Sequence, residues 1–135
     1  MDNSKQPGIR CDNILLAESE FRRIPALPND LEFKLNINIQ NSISNDNRRL
    51  VCEITVVMNS ENDPVYMKVK FVGIFSVTDD GNMEIKQFAE TNAPAILFPY
   101  IREEIHGRML KAGLPKAVIL PPLNLIALVK KTNSE

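Results

Sequence analysis

The sequence predicts an α+β fold, because a run of strand-like segments is followed by one helix-like segment. Three strand-like segments are joined by short turn-forming stretches. The first alternates apolar and polar residues, the second is rich in β-branched residues, and the third alternates only over its first part. A later segment repeats large apolar residues at every fourth position, as one face of a helix does. The length of 135 residues suits a single domain.

The strand-like segments come first along the chain. The alternation is cleanest from Leu31 to Ile39, where every second residue is apolar and the residues between are charged or amides. Turn-forming residues at 44–47 and 59–64 separate this strand from the next two. Consecutive strands with such short connections form an antiparallel meander. The predicted strands are residues 31–39, 50–58 and 65–77.

The helix-like segment follows the strands. Asn92 can cap its start, and Pro94 falls near the first turn, where a missing N–H costs little. Gly113 stands where the helix is expected to end, and Pro115 enforces that end. Pro99 lies inside the pattern and is expected either to kink the helix or to delay its start. The apolar stripe of the helix consists of Leu97, Ile101, Ile105 and Met109.

The remaining parts of the chain have weaker patterns. Residues 14–24 fit a helix, because Glu18 and Arg22 lie four positions apart, but their apolar residues also fit a strand. Residues 114–129 are apolar and interrupted by prolines, so we expect them to be extended for most of their length. The polar ends are expected to be flexible, over residues 1–13 and 130–135.

The chain carries more apolar strand surface than one helix can cover. From Phe71 onward both faces of the third predicted strand are apolar, since Val72 and Ile74 follow without a charge. A strand that is apolar on both faces must be covered on both faces. Exposed apolar patches usually mark partner surfaces, so the sequence predicts an oligomer, an apolar binding groove, or both. The alternative is a monomer whose last segment folds over the sheet.

Signals for other functions are weak. A net charge of −1 argues against a nucleic-acid-binding surface. No segment has the apolar length of a membrane helix or a signal peptide, so we expect a cytoplasmic protein. Cys11, Cys52 and the single histidine, His106, are too few for a zinc site. No glycine-rich phosphate loop is present and the serines lack a neighbouring base, so we do not expect an enzyme.

Three motifs together resemble the SecB family of protein-export chaperones. Residues 73–76 read GIFS, as at the end of a strand in that family. Residues 95–104 read AILFPYIREE and are similar to the family's Asn-Ile-Leu-Phe-Pro-Tyr-Ala-Arg-Glu segment, which enters a helix. Residues 113–128 keep a Gly-x-Pro spacing and then an Asn followed by Ala-Leu, although the two residues after that Asn depart from the family's Phe-Asp.

The resemblance implies a four-stranded antiparallel sheet with one long helix and a proline-broken C-terminal segment packed on one face. Residues 14–24 would then be the first strand of a SecB-like domain that spans residues 14–129. The resemblance further implies a homotetramer, a dimer of dimers in which the long helices lie between the sheets. That assembly would place the helix stripe at an oligomer interface formed by Leu97, Ile101, Ile105 and Met109.

The resemblance also implies a function. The family has no enzymatic activity and needs no cofactor, and its members hold unfolded client chains in apolar grooves without ATP. A dedicated chaperone for one partner, such as an antitoxin, is the alternative within the family. A protein of another class, an enzyme or small-molecule binder, would have a closed polar pocket. The residues expected to line the client groove are Phe71, Ile74, Phe75, Leu97, Phe98, Tyr100, Leu120 and Leu123.

The positions that would dock the translocase motor SecA depart from the family. Export members dock this motor through carboxylates on the outer sheet face. Lys68 stands where one of those carboxylates is expected, five residues before Gly73, and the acidic end of the first strand falls near Arg22 and Arg23. Because cations in place of carboxylates repel the same partner, we expect SecA docking to be weak or absent.

Overall fold

A computed structural model describes residues 8–78 and 84–114 of the chain. Expectations for the other residues, including Pro115, Leu120, Leu123 and the proline-broken C-terminal segment, lie outside this described part. Within it, no helix combines the length and the apolar character needed to cross a membrane. The elements are β1 (Ile9–Arg23), β2 (Leu35–Ile43), β3 (Arg49–Met58), β4 (Val65–Val77) and α1 (Ile85–Ala112).

The four strands form one antiparallel sheet in the order β1-β4-β3-β2. The last three follow one another as the predicted meander, and β3 and β4 lie where the sequence predicts them. β1 pairs with β4, so residues 14–23 are strand, as the family resemblance implies. α1 packs on one face of this sheet, which confirms the α+β fold class. We call the face toward α1 the inner face and the opposite one the outer face.

β2 begins at Leu35 and not at residue 31, where the sequence predicts its start. The partner strand explains the difference, because Leu35 pairs with Met58, the last residue of β3, and the ladder ends there. Asn59 then turns the chain with a φ of 63°, and its side-chain oxygen accepts a 2.8 Å hydrogen bond from the Lys34 backbone N–H. Alternation therefore predicts which face is apolar, whereas the length of β3 sets where β2 begins.

β1 begins at Ile9, which corrects the expectation of a flexible start through residue 13. Ile9 pairs with Val77 and Cys11 pairs with Phe75, because β4 is long enough to offer partners up to its last residue. Backbone pairing of this kind does not require apolar side chains. A polar composition at the end of the chain therefore gave the wrong boundary.

α1 is longer at its N-terminus than predicted and ends where predicted. It begins at Ile85, so Asn92 lies inside the helix and does not cap it, and both Pro94 and Pro99 are internal. Gly113 ends the helix with a φ of 59°, a left-handed conformation that glycine adopts without steric strain. The prediction that Pro99 delays the start of the helix is therefore wrong.

Packing of its first turns explains why α1 starts early. A proline inside a helix removes one backbone hydrogen bond, so the turns before it need tertiary support. The Phe88 ring packs edge to face on Phe75 of β4, with ring centroids 5.2 Å apart. Ile85 and Ala89 of the same face are also buried. These long-range contacts hold the turns that the local sequence does not predict.

The core lies between α1 and the inner face, and Gly73 marks their close approach. A Cβ at this position would lie 2.9 Å from Cδ2 of Leu97 and 2.8 Å from Cε2 of Phe75. Both distances are shorter than van der Waals contact, so a larger residue would displace one of these side chains. The glycine of the GIFS motif therefore serves to make space for α1.

Candidate functional site

Four of the predicted groove residues belong to the core. Phe75 and Leu97 are completely buried, and Phe98 and Phe71 are 4% and 8% exposed. The Arg102 guanidinium covers the Phe98 ring at 5.3 Å from its centroid. Side chains with so little accessible surface support a binding surface from below and do not contact a ligand in this conformation.

Ile74 lies on the opposite face from the other predicted groove residues. Side chains alternate between the two faces along a strand, and Phe71 and Phe75 point to the inner face. Ile74 therefore points outward, where it pairs with Val51 of β3 and is half-buried. The grouping of Ile74 with its neighbours in one groove is corrected, because a strand that is apolar on both faces does not bring those faces together.

The buried ring of Phe71 contacts the ring of Tyr100 at the edge of the core. Their ring centroids are 6.1 Å apart, and the ring planes meet at 51°. Tyr100 is 46% exposed. Leu16 of β1, which pairs with Phe71, is 48% exposed, and Ile96 lies one helical turn before Tyr100 with 36% exposed. We call the exposed Leu16, Ile96 and Tyr100, together with the buried Phe71 ring that Tyr100 contacts, the α1–β1 surface.

Sequence reasoning missed Leu16. The pairing register shifts between Leu16 and Glu18, so a bulge at Ala17 interrupts the alternation. Leu16 lies opposite Phe71 and Ser19 lies opposite Val69, which places both on the inner face although they are three residues apart. A bulge has no clear sequence signature, and Leu16 lies in the apolar run of residues 14–17, so the sequence does not indicate which of these residues reaches the inner face.

A polar network joins β1 to α1 close to the α1–β1 surface. The Ser19 hydroxyl donates a 2.7 Å hydrogen bond to Oε2 of Glu104 and accepts a 2.6 Å hydrogen bond from Nη2 of Arg108. Nε of Arg108 lies 3.3 Å from the same carboxylate. The hydrogen bond from Ser19 and the Arg108 charge hold the pKa of Glu104 below its ordinary value. The network therefore fixes the separation of α1 and β1.

The helix stripe expected at an oligomer interface packs on the chain's own sheet. Leu97 and Ile101 are 0% exposed, and Ile105 and Met109 are 1% and 5% exposed. The stripe therefore belongs to the core of the chain, and its expected role at an oligomer interface stays a prediction. Leu110, by contrast, is 82% exposed on the other side of α1.

Lys68, which was expected to alter the SecA-docking face, is not an isolated cation. Its Nζ lies 3.0 Å from Oε2 of Glu18 on β1, and both side chains are partly exposed. The hydrogen bond and charge of Glu18 raise the pKa of Lys68, and those of Lys68 lower the pKa of Glu18. The pair carries no net charge, so the repulsion inferred from Lys68 alone is weaker than the sequence predicts.

The two arginines expected at the docking face have structural partners. Arg22 lies 5.5 Å from the centroid of the Tyr66 ring and donates a 2.6 Å hydrogen bond to the carbonyl of Glu61. Arg23 donates a 2.5 Å hydrogen bond to the carbonyl of Ala112, at the C-terminus of α1. Arg23 therefore links the C-terminus of α1 to β1 through this hydrogen bond.

Chemically reactive groups are sparse in the described part of the chain. There, no cluster of three or more metal-ligating side chains is found. Cys11 and Cys52 are free thiols, and burial raises the pKa of Cys52 to about 12. A thiol with such a pKa stays protonated near neutral pH and is a poor nucleophile.

Comparison with known proteins identifies relatives of the chain. The family model described as preprotein translocase subunit SecB matches residues 17–135. An uncharacterized protein of Methanocaldococcus jannaschii is 30% identical over 148 residues, which covers 100% of this chain and 95% of that protein. The protein-export protein SecB of Legionella pneumophila (strain Corby) is 29% identical over 99 residues, which covers 72% of this chain and 60% of that protein.

A solved structure has the same fold. The Mycobacterium tuberculosis Rv1957 SecB-like chaperone, in complex with a ChAD peptide from the Rv1956 HigA1 antitoxin, is similar with a TM-score of 0.64 and 19% identity. The similarity covers 83% of this chain and 86% of that one. Because the family model also matches most of the sequence, from residue 17 to residue 135, this chain belongs to the SecB family.

Proposed function

We propose that this protein is an ATP-independent holdase chaperone that binds unfolded polypeptides, with no enzymatic activity and no cofactor. The observation that carries the proposal is the α1–β1 surface on a chain of the SecB family, where Leu16, Ile96 and Tyr100 are exposed beside the buried ring of Phe71. Unfolded chains offer the apolar and aromatic segments that such a surface would cover.

The physical chemistry of this surface suits varied clients. Burial of apolar area contributes about 25 cal/mol per Å² and has no directional requirement, so many sequences bind comparably. β1, the strand that carries Leu16, is an edge strand of the sheet. An extended client can add backbone hydrogen bonds there without side-chain specificity.

The proposed assembly is a homotetramer, a dimer of dimers, in the cytoplasm. Since the stripe packs in the core of the chain, the subunit contact would use the C-terminal half of the exposed face of α1, where Leu110 is 82% exposed. A Cβ added at Gly107 would meet no atom within 4 Å, so another helix could approach this part of α1 closely. Tyr100, nearer the N-terminus of α1, would remain accessible to clients.

Two roles within the SecB family are candidates for this protein, and the charge of the outer face bears on the choice between them. A role in export would require SecA docking, which we propose to be weak, because the Lys68–Glu18 pair presents no net negative charge to a motor that binds carboxylates. A dedicated chaperone for a single partner, such as an antitoxin, is the second candidate. The binding of an antitoxin peptide by the Mycobacterium tuberculosis protein of the same fold supports this candidate.

Light scattering during the aggregation of guanidinium-unfolded citrate synthase tests the proposed function. We expect the protein to suppress aggregation to the same extent with and without ATP. Tyr100→Ser and Leu16→Ser should reduce the suppression, because each removes exposed apolar area from the α1–β1 surface. Ile24→Ser is the matched control, since Ile24 and Tyr100 are both 46% exposed and Ile24 lies outside this surface. Unchanged aggregation at an excess of the protein would contradict the proposal.

A further inference from the structure

The outer face of the sheet carries an apolar patch that the proposed client binding does not use. Leu15 on β1 lies opposite Val72 on β4, and Ile74 lies opposite Val51 on β3. Leu15 is 44% exposed, and the other three side chains are half-buried. α1 packs on the inner face and does not cover these residues. We call these four residues, which join across three neighbouring strands, the outer patch.

Ion pairs lie next to one end of the outer patch. Nζ of Lys68 lies 3.0 Å from Oε2 of Glu18, and Nζ of Lys70 lies 3.6 Å from Oε1 of Glu53. Each cation therefore has a carboxylate beside it. This end of the face is polar but offers little net attraction to a charged partner.

A cluster with a net positive charge lies at the other end. Arg49 is the first residue of β3, two positions before Val51, and its side chain is exposed. The Asp12 carboxylate pairs with Arg10 at 2.6 Å, and a hydrogen bond with Ser76 together with the charges of Arg10 and Arg49 lowers its pKa. Two cations therefore share one carboxylate, which leaves Arg49 able to attract an external anion.

We propose that the outer patch and Arg49 together dock an apolar segment of a partner protein that carries carboxylates beside its apolar side chains. The apolar side chains would cover the patch, and a carboxylate would pair with Arg49. Arg49 and Val51 point to the same face roughly 7 Å apart along β3, so one short segment can reach both. Because the lysines at the opposite end are paired, Arg49 decides which sign of charge is favoured. Docking on this face would leave the α1–β1 surface free.

Fluorescence anisotropy of the full-length protein with two labelled peptides tests this proposal. The first probe is Gly-Leu-Thr-Leu-Thr-Asp-Asp-Gly, and the second has two lysines in place of the aspartates. We expect the aspartate peptide to bind about fivefold more tightly at low salt, the effect of one exposed ion pair, and the difference to shrink as salt is added.

Three variants separate the outer patch from the client surface. Arg49→Glu should reverse the preference, so that the lysine peptide binds more tightly. Ile74→Thr keeps a β-branched residue and should weaken the binding of both peptides. Tyr100→Ser should leave the ratio of the two affinities unchanged, because the α1–β1 surface lies on the other side of the sheet and binds apolar segments without regard to their charge.

Each alternative result overturns the inference. Equal binding of the two peptides, or the same preference in Arg49→Glu as in the unmodified protein, would show that Arg49 does not select the partner. Loss of the preference for the aspartate peptide in Tyr100→Ser would place the charge selection on the α1–β1 surface. Aggregation suppression by Arg49→Glu, measured in parallel, reports on the proposed chaperone function independently of the peptide result.

Discussion

The two faces of β4 use alternate residues of one strand for different purposes. On the inner face, Phe71 and Phe75 are buried, and Gly73 makes space for Leu97 of α1. On the outer face, Lys68 and Lys70 form cross-strand ion pairs, and Val72 and Ile74 belong to the apolar outer patch. The inner face thus depends on close packing, whereas the outer face remains open to solvent and to partners.

This difference predicts where the free energy of folding and the capacity for recognition reside. Buried apolar groups contribute most of the stability of a small domain, and exposed ion pairs contribute little. Substitutions on the inner face should therefore change stability, and substitutions on the outer face should change binding. At the α1–β1 surface, the inner-face side chain of Leu16 and the α1 side chain of Tyr100 both reach solvent.

The largest effect is expected from Leu97→Ala. Leu97 is completely buried between α1 and Gly73, so its truncation leaves a cavity and should lower the free energy of unfolding by about 2–5 kcal/mol. The same substitution on the outer face, Leu15→Ala, should change it by less than about 1 kcal/mol. Urea denaturation of both variants measures the contrast. Equal losses would mean that the two faces contribute similarly to stability.

Gly73→Ala should have the next largest effect. The new Cβ would lie within 3 Å of Leu97 and Phe75, so overpacking should lower the free energy of unfolding by about 1–3 kcal/mol. In a Leu97→Ala background the cost should be smaller, because one of the two obstructing side chains is gone. A double-mutant cycle by urea denaturation measures this coupling. Strict additivity would show that the close approach does not limit residue 73.

A smaller, pH-dependent effect is expected from Glu104→Gln. The folded-state pKa of Glu104 lies below its ordinary value of 4.5, so its ionised form stabilises the fold above that value. This contribution is lost as pH falls through the folded-state pKa. The unmodified protein should therefore lose more stability than Glu104→Gln when the pH is lowered from 6 to 3. Parallel curves of thermal unfolding midpoint against pH would contradict this assignment.

The smallest effect is expected from Lys68→Ala on the outer face. The Lys68–Glu18 pair is partly exposed, so water weakens its Coulomb attraction. Forming the pair also costs conformational entropy, because it restricts two long side chains to one geometry. The urea midpoint should stay within experimental error of the unmodified protein, and added salt should not change that result. A clear loss of stability would show that the outer face supports the fold as well.

The sequence predicts correctly those strand and helix ends that depend on residues close by in the chain. β3 and β4 follow from their apolar residues and flanking turns, and the end of α1 follows from Gly113. The start of α1 could not be predicted, because two internal prolines oppose a helix and the compensating contact of Phe88 with Phe75 joins distant parts of the chain.

The same reasoning predicts only part of the candidate site. Phe71 and Tyr100 were recognised as apolar residues near the family motifs, and the structure brings their rings together. Leu16 was missed, because the bulge after it changes which face it occupies. Ile74 was assigned to the wrong face, because an apolar residue gives no indication of its neighbours in space.

Site-specific photo-crosslinking tests the central claim most directly. The photoreactive residue p-benzoylphenylalanine is placed at Tyr100 in one variant and at Ile24 in another, two positions with the same exposure of 46%. The unfolded client is guanidinium-unfolded citrate synthase, diluted into the chaperone and irradiated. A client that binds the α1–β1 surface should crosslink strongly from position 100 and weakly from position 24. Equal crosslinking from both positions, or stronger crosslinking from position 24, would contradict this location of the client site.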